Sequence, residues 1–388
     1  MNPLELLNRP TFADVERIGM PRALLHYRYG TLWTTFFESL GREVVLSAPT
    51  TKDIVAQGDA LSHDECCLAS KIFLGHVESL IGACDAVFIP SIGNLGRFKM
   101  FCTKFQALPD LVANTFAERG LRLVSCLVNE LEGVGMREAL VGLAAEFGAT
   151  SHEARRAWKT ASRAQEHAER AKTAAQNRQL LLLDHARRKP TGEERASVSI
   201  LLAAHPYIAH DPFLGGELAD MLDRLGATVF HADAVDREQA TRESFEFSQT
   251  LPWIVNREII GAITACYEQV DGIVLMSAFP CGPDSMTDDA IVRCMQGKPI
   301  LNLTIDAQSG TAGLETRVES FIDILRYQKK GGLRAWLVTM QRMRAAAPAI
   351  VRNRRASPRA ATSARCTPTE ARKRAACAWS SAASAAPS

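Results

Sequence analysis

The chain has no apolar run approaching the roughly 20 residues that a membrane-spanning helix requires. Its opening, "MNPLELLNRP", lacks the charged-then-apolar pattern of a secretion signal. Together these absences point to a cytoplasmic protein with no membrane association. No C-x-x-C pair occurs among the ten cysteines, which argues against zinc ribbons and thioredoxin-type redox motifs. There is no G-x-x-x-x-G-K-[ST] loop and no clear pair of glycine-rich phosphate loops, so the chain is not itself expected to be an ATPase. A strong charge imbalance is missing too. The 45 Lys and Arg nearly balance 43 Asp and Glu, and eight of the basic residues, with a single Glu, fall in residues 346–388. The remaining body is mildly acidic and offers no electrostatic case for nucleic acid.

What is present is enough apolar material for two cores: 388 residues, 47% hydrophobic and 23% charged. Strand-like runs "RIGMPR" (17–22), "EVVLSA" (43–48), "DAVFIPS" (85–91) and "LRLVSC" (121–126) alternate with amphipathic stretches. Residues 151–189, rich in Ala, Arg, Glu and Gln without internal Gly or Pro, read as one or two long helices ending before Pro190. The rhythm then restarts with "SVSILLAAHPY" (197–207), "ATVFHA" (227–232), "GIVLMSA" (272–278) and "PILNLTID" (299–306). Strands alternating with helices predict parallel, doubly wound sheets. The expected architecture is α/β: two doubly wound, Rossmann- or flavodoxin-like domains joined by a helical connector. The boundaries are 1–150, 151–190 for the connector, and 191–345. Residues 346–388, almost without aliphatic side chains, read as a disordered basic tail or a shifted reading frame. Cys366 and Cys377 in it are set aside.

Ligands collect where loops leave the carboxyl ends of strands in open α/β sheets. Three cysteines occupy such places. Cys281 follows "GIVLMSAFP" and precedes Gly282 and Pro283. Cys102 lies in "FKMFCTKFQALPDLV", and Cys67 in "HDECCLASKIFLGHV" at a turn that opens a helix. Cys84, Cys126, Cys266 and Cys294 sit on apparent strand or helix faces and read as packing residues. Three loop thiolates converging from different elements would suit a soft metal or an iron–sulfur cluster with one iron left open.

Several segments resemble the family of 2-hydroxyacyl-CoA dehydratase-like and dehydratase activase-related proteins. They are "GMPRALLHYRYGTLWTTFFESLGREVVLSAPTT", "CLASKIFLGHV", "AHPYIAHDPFL", "WIVNREIIGA", "PCGPDSM" and "LTIDAQSGTAGLETRVESFIDIL". The resemblance runs in order from about residue 17 to 327. It implies that Cys67, Cys102 and Cys281 bind a [4Fe-4S] cluster between two α/β domains. It also implies an ATP-dependent activator that supplies single electrons, an acyl-CoA-like substrate from which water is eliminated, and a homologous partner subunit. The family's C-x-P-x-K segment has Ala69 in place of proline, and Cys66 adjoins Cys67; the spacing to Lys71 favours Cys67.

Lys71, one helical turn from Cys67, would offset thiolate charge. His205, Tyr207 and His210 follow a strand and are candidates to move a proton or bind a substrate oxygen. Asp284 and Ser285 read as caps of the helix near "MTDDAIVRCM". Two other readings stand beside the dehydratase-type enzyme. One is a non-catalytic, activase-related accessory subunit; the other is a zinc protein using the same cysteines with His205. A cysteine nucleophile is disfavoured, because no sequence feature places a base beside Cys281.

Overall fold

The apolar runs become short, buried, parallel strands. The computed structural model describes residues 11–188, 197–307 and 311–329. The expected tail at 346–388, with Cys366 and Cys377, lies outside them. Strands β1 (Arg17–Met20), β2 (Glu43–Leu46), β3 (Ala86–Phe88) and β5 (Leu123–Val124) form one four-stranded sheet in the order β2-β1-β3-β5. Strands β7 (Val198–Ala204), β8 (Ala227–His231), β9 (Gly272–Ala278) and β10 (Ile300–Ile305) form another, in the order β10-β9-β7-β8. Every pairing in both is parallel. All seven residues of β7 and of β9 are buried, as expected of strands covered on both faces. The molecule is thus mixed α/β with parallel sheets.

"DAVFIPS" and "LRLVSC" each continue beyond a single strand. Pro90 has no N–H to give a ladder, and β3 breaks there. β4 (Ser91–Asn94) then pairs with β6 (Leu127–Asn129) as a separate two-stranded parallel sheet. Ile89 N donates to Val124 O at 2.8 Å and Ser91 N to Cys126 O at 3.0 Å, carrying the pairing across the break.

Helix α1 (His26–Ser39) packs Trp33, Phe36 and Phe37 into the first core. Trp33 and Phe37 meet Phe88 edge-on, with ring centroids 5.4 and 5.0 Å apart. Helices α2 (Lys52–Ala60) and α3 (Leu68–Leu80) cross at glycine. A Cβ on Gly75 would stand 2.0 Å from Ile54 O, and one on Gly58 1.9 Å from Lys71 O, so only hydrogen lets the backbones approach. Short α4 (Thr103–Gln106), α5 (Leu108–Thr115) and α6 (Met136–Glu146) follow.

The Ala-rich segment is one helix, α7 (Ser151–Arg188), about 57 Å long at 1.5 Å per residue. Thr150 and Glu153 form a reciprocal cap at its start, Thr150 N donating to Glu153 Oε2 at 2.8 Å and Glu153 N to Thr150 Oγ1 at 3.3 Å. Ala154, Ala157 and Ala161 make its buried stripe. Gln165 accepts from Leu32 N at 3.0 Å and donates to Arg28 O at 2.9 Å. At the far end Arg187 pairs with Asp271 at 2.9 Å. The remaining helices are α8 (Pro206–Ala209), α9 (Glu217–Arg224), α10 (Arg237–Phe247), α11 (Ile254–Cys266), α12 (Gly282–Cys294) and α13 (Thr311–Lys329). None of the described helices is long and apolar enough to cross a membrane.

Candidate functional site

In both sheets the first strand has the second on one side and the third on the other. Loops leaving such a pair of strands turn in opposite directions and open a crevice at their carboxyl ends. In the second sheet His205 directly follows β7 and Cys281 follows β9. From the first half come Leu24 beyond β1, and Cys102 and Phe105 beyond β4. One pocket is lined by Cys67, Cys102, Cys281, His205 and Tyr207, together with Ser70, Lys104, Asn256 and the apolar Leu24, Met100, Phe101, Phe105 and Trp253.

Main-chain bonds hold these loops together. Leu68 N, next to Cys67, donates to Phe279 O at 2.9 Å, two residues before Cys281. Met100 N donates to Pro252 O at 3.0 Å and Ile254 N to Met100 O at 2.9 Å, tying the Cys102 loop to the start of α11. The cysteines share one more feature. Cys67, Cys102 and Cys281 are the N-cap residues of α3, α4 and α12, and none of these ends has a side-chain cap. Helix N-termini carry partial positive charge, which favours anionic sulfur.

Burial, followed by the charge of Asp284, pushes the Cys281 thiol far up. Without a bound cation this environment disfavours the thiolate form of Cys281. Among the described residues, the group of three or more metal-type ligands whose donor atoms all fall within 4.8 Å is His210, His231 and Asp233. Cys67, Cys102 and Cys281 do not form such a group among the described residues. Thiolate donors of this kind suit a soft metal ion or an iron–sulfur cluster.

Asp284, expected as a cap, lies in the first turn of α12 and turns its carboxylate to other side chains instead. It is 3% exposed and accepts from His205 Nε2 and Asn256 Nδ2, both at 2.8 Å. Burial disfavours its charge, but the His205 ring and the hydrogen bonds from His205 and Asn256 hold its carboxyl below the usual range. This pairing assigns the Nε2 proton of His205 to the carboxylate and leaves Nδ1 buried without a protein partner. Tyr207 lies against His205 with centroids 4.9 Å apart. Burial, then the Asp284 charge, keeps its phenol protonated.

Lys71 is placed elsewhere. Its Nζ donates to Asp59 Oδ1 at 2.6 Å, and the lysine lining the pocket is Lys104. Cys67 lines the pocket and Cys66 does not. Cys84, Cys126, Cys266 and Cys294 lie away from it as free thiols, with Cys126 pushed up to about 12 by burial. Sequence reasoning missed Lys104, Asn256 and the Asp284–His205 pair. Asp284 had a signal, its place in "CGPD"; Asn256 and Lys104 had none, because their role depends on which loops meet.

No curated protein matches the chain. Among solved structures, glucosamine-6-phosphate deaminase from Thermotoga maritima is 10% identical, with 84% of this chain and 87% of that chain covered and a TM-score of 0.18. The C-terminal domain of glucosamine-fructose-6-phosphate aminotransferase from Francisella tularensis is 10% identical, with 82% and 84% covered and a TM-score of 0.22. A putative sugar binding protein from Salmonella typhimurium LT2 is 12% identical, with 84% and 94% covered and a TM-score of 0.23. Similarity at these scores carries no argument about fold or activity. The family comparison does: residues 17–235, more than half the chain and including Cys67, Cys102, His205 and Tyr207, match the CoA enzyme activase uncharacterised domain (DUF2229), and the chain belongs to that family.

Proposed function

We propose that this protein is an iron–sulfur member of its activase-related family. In this reading Cys67, Cys102 and Cys281 hold a [4Fe-4S] cluster for single-electron reduction of an acyl-CoA-like substrate. The observation that carries the reading is the convergence of three helix-capping cysteines, distant in sequence, on one largely apolar pocket. A bound cluster would supply one-electron reducing power and an iron with an open position.

The chain's own residues supply the rest. The amides opening α3 and α12 favour negative charge at the sulfurs. Lys104 places a cation at the pocket. The Asp284 carboxylate holds His205 through Nε2–H, which leaves Nδ1, buried and without a protein partner, to accept a hydrogen bond or a proton from a substrate hydroxyl. Tyr207, protonated, is a hydrogen-bond donor in the same pocket. The apolar walls exclude water, which strengthens each of these interactions.

The cavity is about 40 Å³, the space of about three waters. That is smaller than either the cluster or an acyl-CoA, so on this reading the pocket opens to take up both. On this reading the chain has two Rossmann-like domains, 1–150 and 191–345, with α7 as the connector. It acts in the cytoplasm on electrons from an ATP-dependent activator, with a homologous subunit as a further partner. The family description, CoA enzyme activase uncharacterised domain, favours a second reading, in which the chain binds its cluster as an accessory subunit and processes no acyl-CoA.

The test is anaerobic reconstitution, iron and sulfide quantification, and EPR after dithionite reduction, on wild type and Cys281→Ala. Roughly four iron and four sulfide per chain, lost or converted in the variant, is the expected result. No iron in wild type overturns the proposal. An EPR spectrum unchanged by acyl-CoAs selects the accessory subunit.

A further inference from the structure

A second cluster of ligands lies at the β8 side of β7, whereas Cys281 follows β9 on its other side. We infer that His210, His231 and Asp233 form a binding site for one divalent cation of the zinc class, separate from the cysteine pocket. His210 belongs to the loop after β7, and His231 ends β8, the parallel neighbour of β7, with Leu202 opposite His231 in register. Asp233 follows two residues later. The three residues thus meet at the carboxyl edge of the second sheet.

One donor atom from each of the three lies within 4.8 Å of the others. His210 Nε2 stands 3.0 and 2.9 Å from the two oxygens of Asp233. The His210 and His231 rings lie 4.9 Å apart at 32°. His231 Nδ1 is buried with no protein partner. The arrangement is held from behind. Gln176, itself 5% exposed, accepts from His231 N at 2.7 Å and donates to His231 O at 2.9 Å. These two bonds fix the main chain of His231, from which its ring projects.

Asp233 also carries a cation in the present state, the Lys172 ammonium. Lys172 is on a long, flexible side chain, 36% exposed, and can swing away when a stronger cation arrives. Beside it a cavity of about 640 Å³, lined in part by Lys172 and Asp233, has room for the water that would complete the coordination. Two imidazoles and one carboxylate suit zinc or a neighbouring transition metal, whereas magnesium and calcium take oxygen ligands. Three protein ligands with an open fourth position is the pattern of zinc sites that bind a further molecule rather than purely structural ones.

The test is titration of the metal-free full chain with Co²⁺, followed by visible absorbance and by competition with Zn²⁺. Wild type should take up one Co²⁺ with a nitrogen–oxygen spectrum, lacking the intense near-ultraviolet band of sulfur ligation. His210→Gln should weaken it by roughly tenfold or more. Lys172→Met should tighten it, and Cys281→Ala should leave it unchanged. His210 is partly exposed, so its variant should keep the wild-type circular dichroism; Asp233→Asn is the second variant. A wild-type spectrum with sulfur ligation only, no uptake, or equal affinity in folded His210→Gln overturns the site.

Discussion

Ser47 Oγ and Thr50 Oγ1 bracket the His76 ring, at 2.8 Å from Nδ1 and 2.9 Å from Nε2. Thr50 in turn donates to Asp211, which also accepts from Tyr27 at 3.1 Å. The ring is fully buried. Burial first, then the Arg22 charge, brings both His76 and His26 down to about 4. In the unfolded chain each titrates near 6.5, so between about pH 6.5 and 4 the unfolded state binds the extra protons. Stability is fully present above that window and falls as pH drops through it. Asp288, pushed up to about 7 by burial and then by Asp284, works in the opposite direction, so a difference measurement is needed. Denaturant midpoints of wild type and His76→Gln, compared from pH 7 to 4.5, should show the variant's pH dependence shallower by about one proton. Parallel curves would mean that His76 is already charged in the native state.

At the scale of elements, the position of Cys67 depends on the α2–α3 crossing. Gly75 touches Ile54 O, and Gly58 touches Lys71 O. Gly75→Ala should force the helices apart and cost about 1–3 kcal/mol, read as a shift in urea midpoint. The iron content of reconstituted protein should fall with it, because Cys67 opens α3. A variant as stable as wild type would show that the crossing relaxes freely. Much of this level was legible beforehand. "GIVLMSA" marks β9 to the residue, and the Ala-rich segment is one helix, because an uninterrupted pattern of one period leaves little alternative. The split of "DAVFIPS" was not, since the apolar run Ala86–Ile89 reads as one strand and nothing local shows that pairing resumes beyond Pro90.

At the scale of the molecule, the halves are joined by a buried ion pair. Arg28 on α1 binds Glu258 on α11 through two bonds of 2.5 and 2.7 Å, with Arg28 6% and Glu258 7% exposed. Arg28 also donates to Tyr29 OH at 2.9 Å and lies over the Phe101 ring, next to Cys102. Glu258→Gln strands the buried guanidinium and should cost about 3–5 kcal/mol, while replacing both partners with Met and Leu should recover most of it. Urea denaturation of the two variants decides this. Equal stability of Glu258→Gln and wild type would mean that water reaches the pair and that the halves already part at this seam.

The amino-acid sequence by itself determined the local structure and the residue chemistry. Apolar runs bounded by Pro and Gly became parallel strands, and the cysteines of "DECCLAS" and "FKMFCTK" were read beside helix starts, whereas "PCGPDS" was read as loop and opens α12 at Gly282. These are properties of a few consecutive residues, set by backbone sterics and side-chain period. Only the tertiary structure decided which of those residues meet. The order in which strands cross the sheet brings positions 67, 102, 205 and 281 to one pocket, and burial then selects the partners: Asp284 for His205, Asp59 for Lys71, Lys104 for the pocket. Contacts between residues so far apart in the chain carry no local signature, because their energy exists only once water has been excluded from between them.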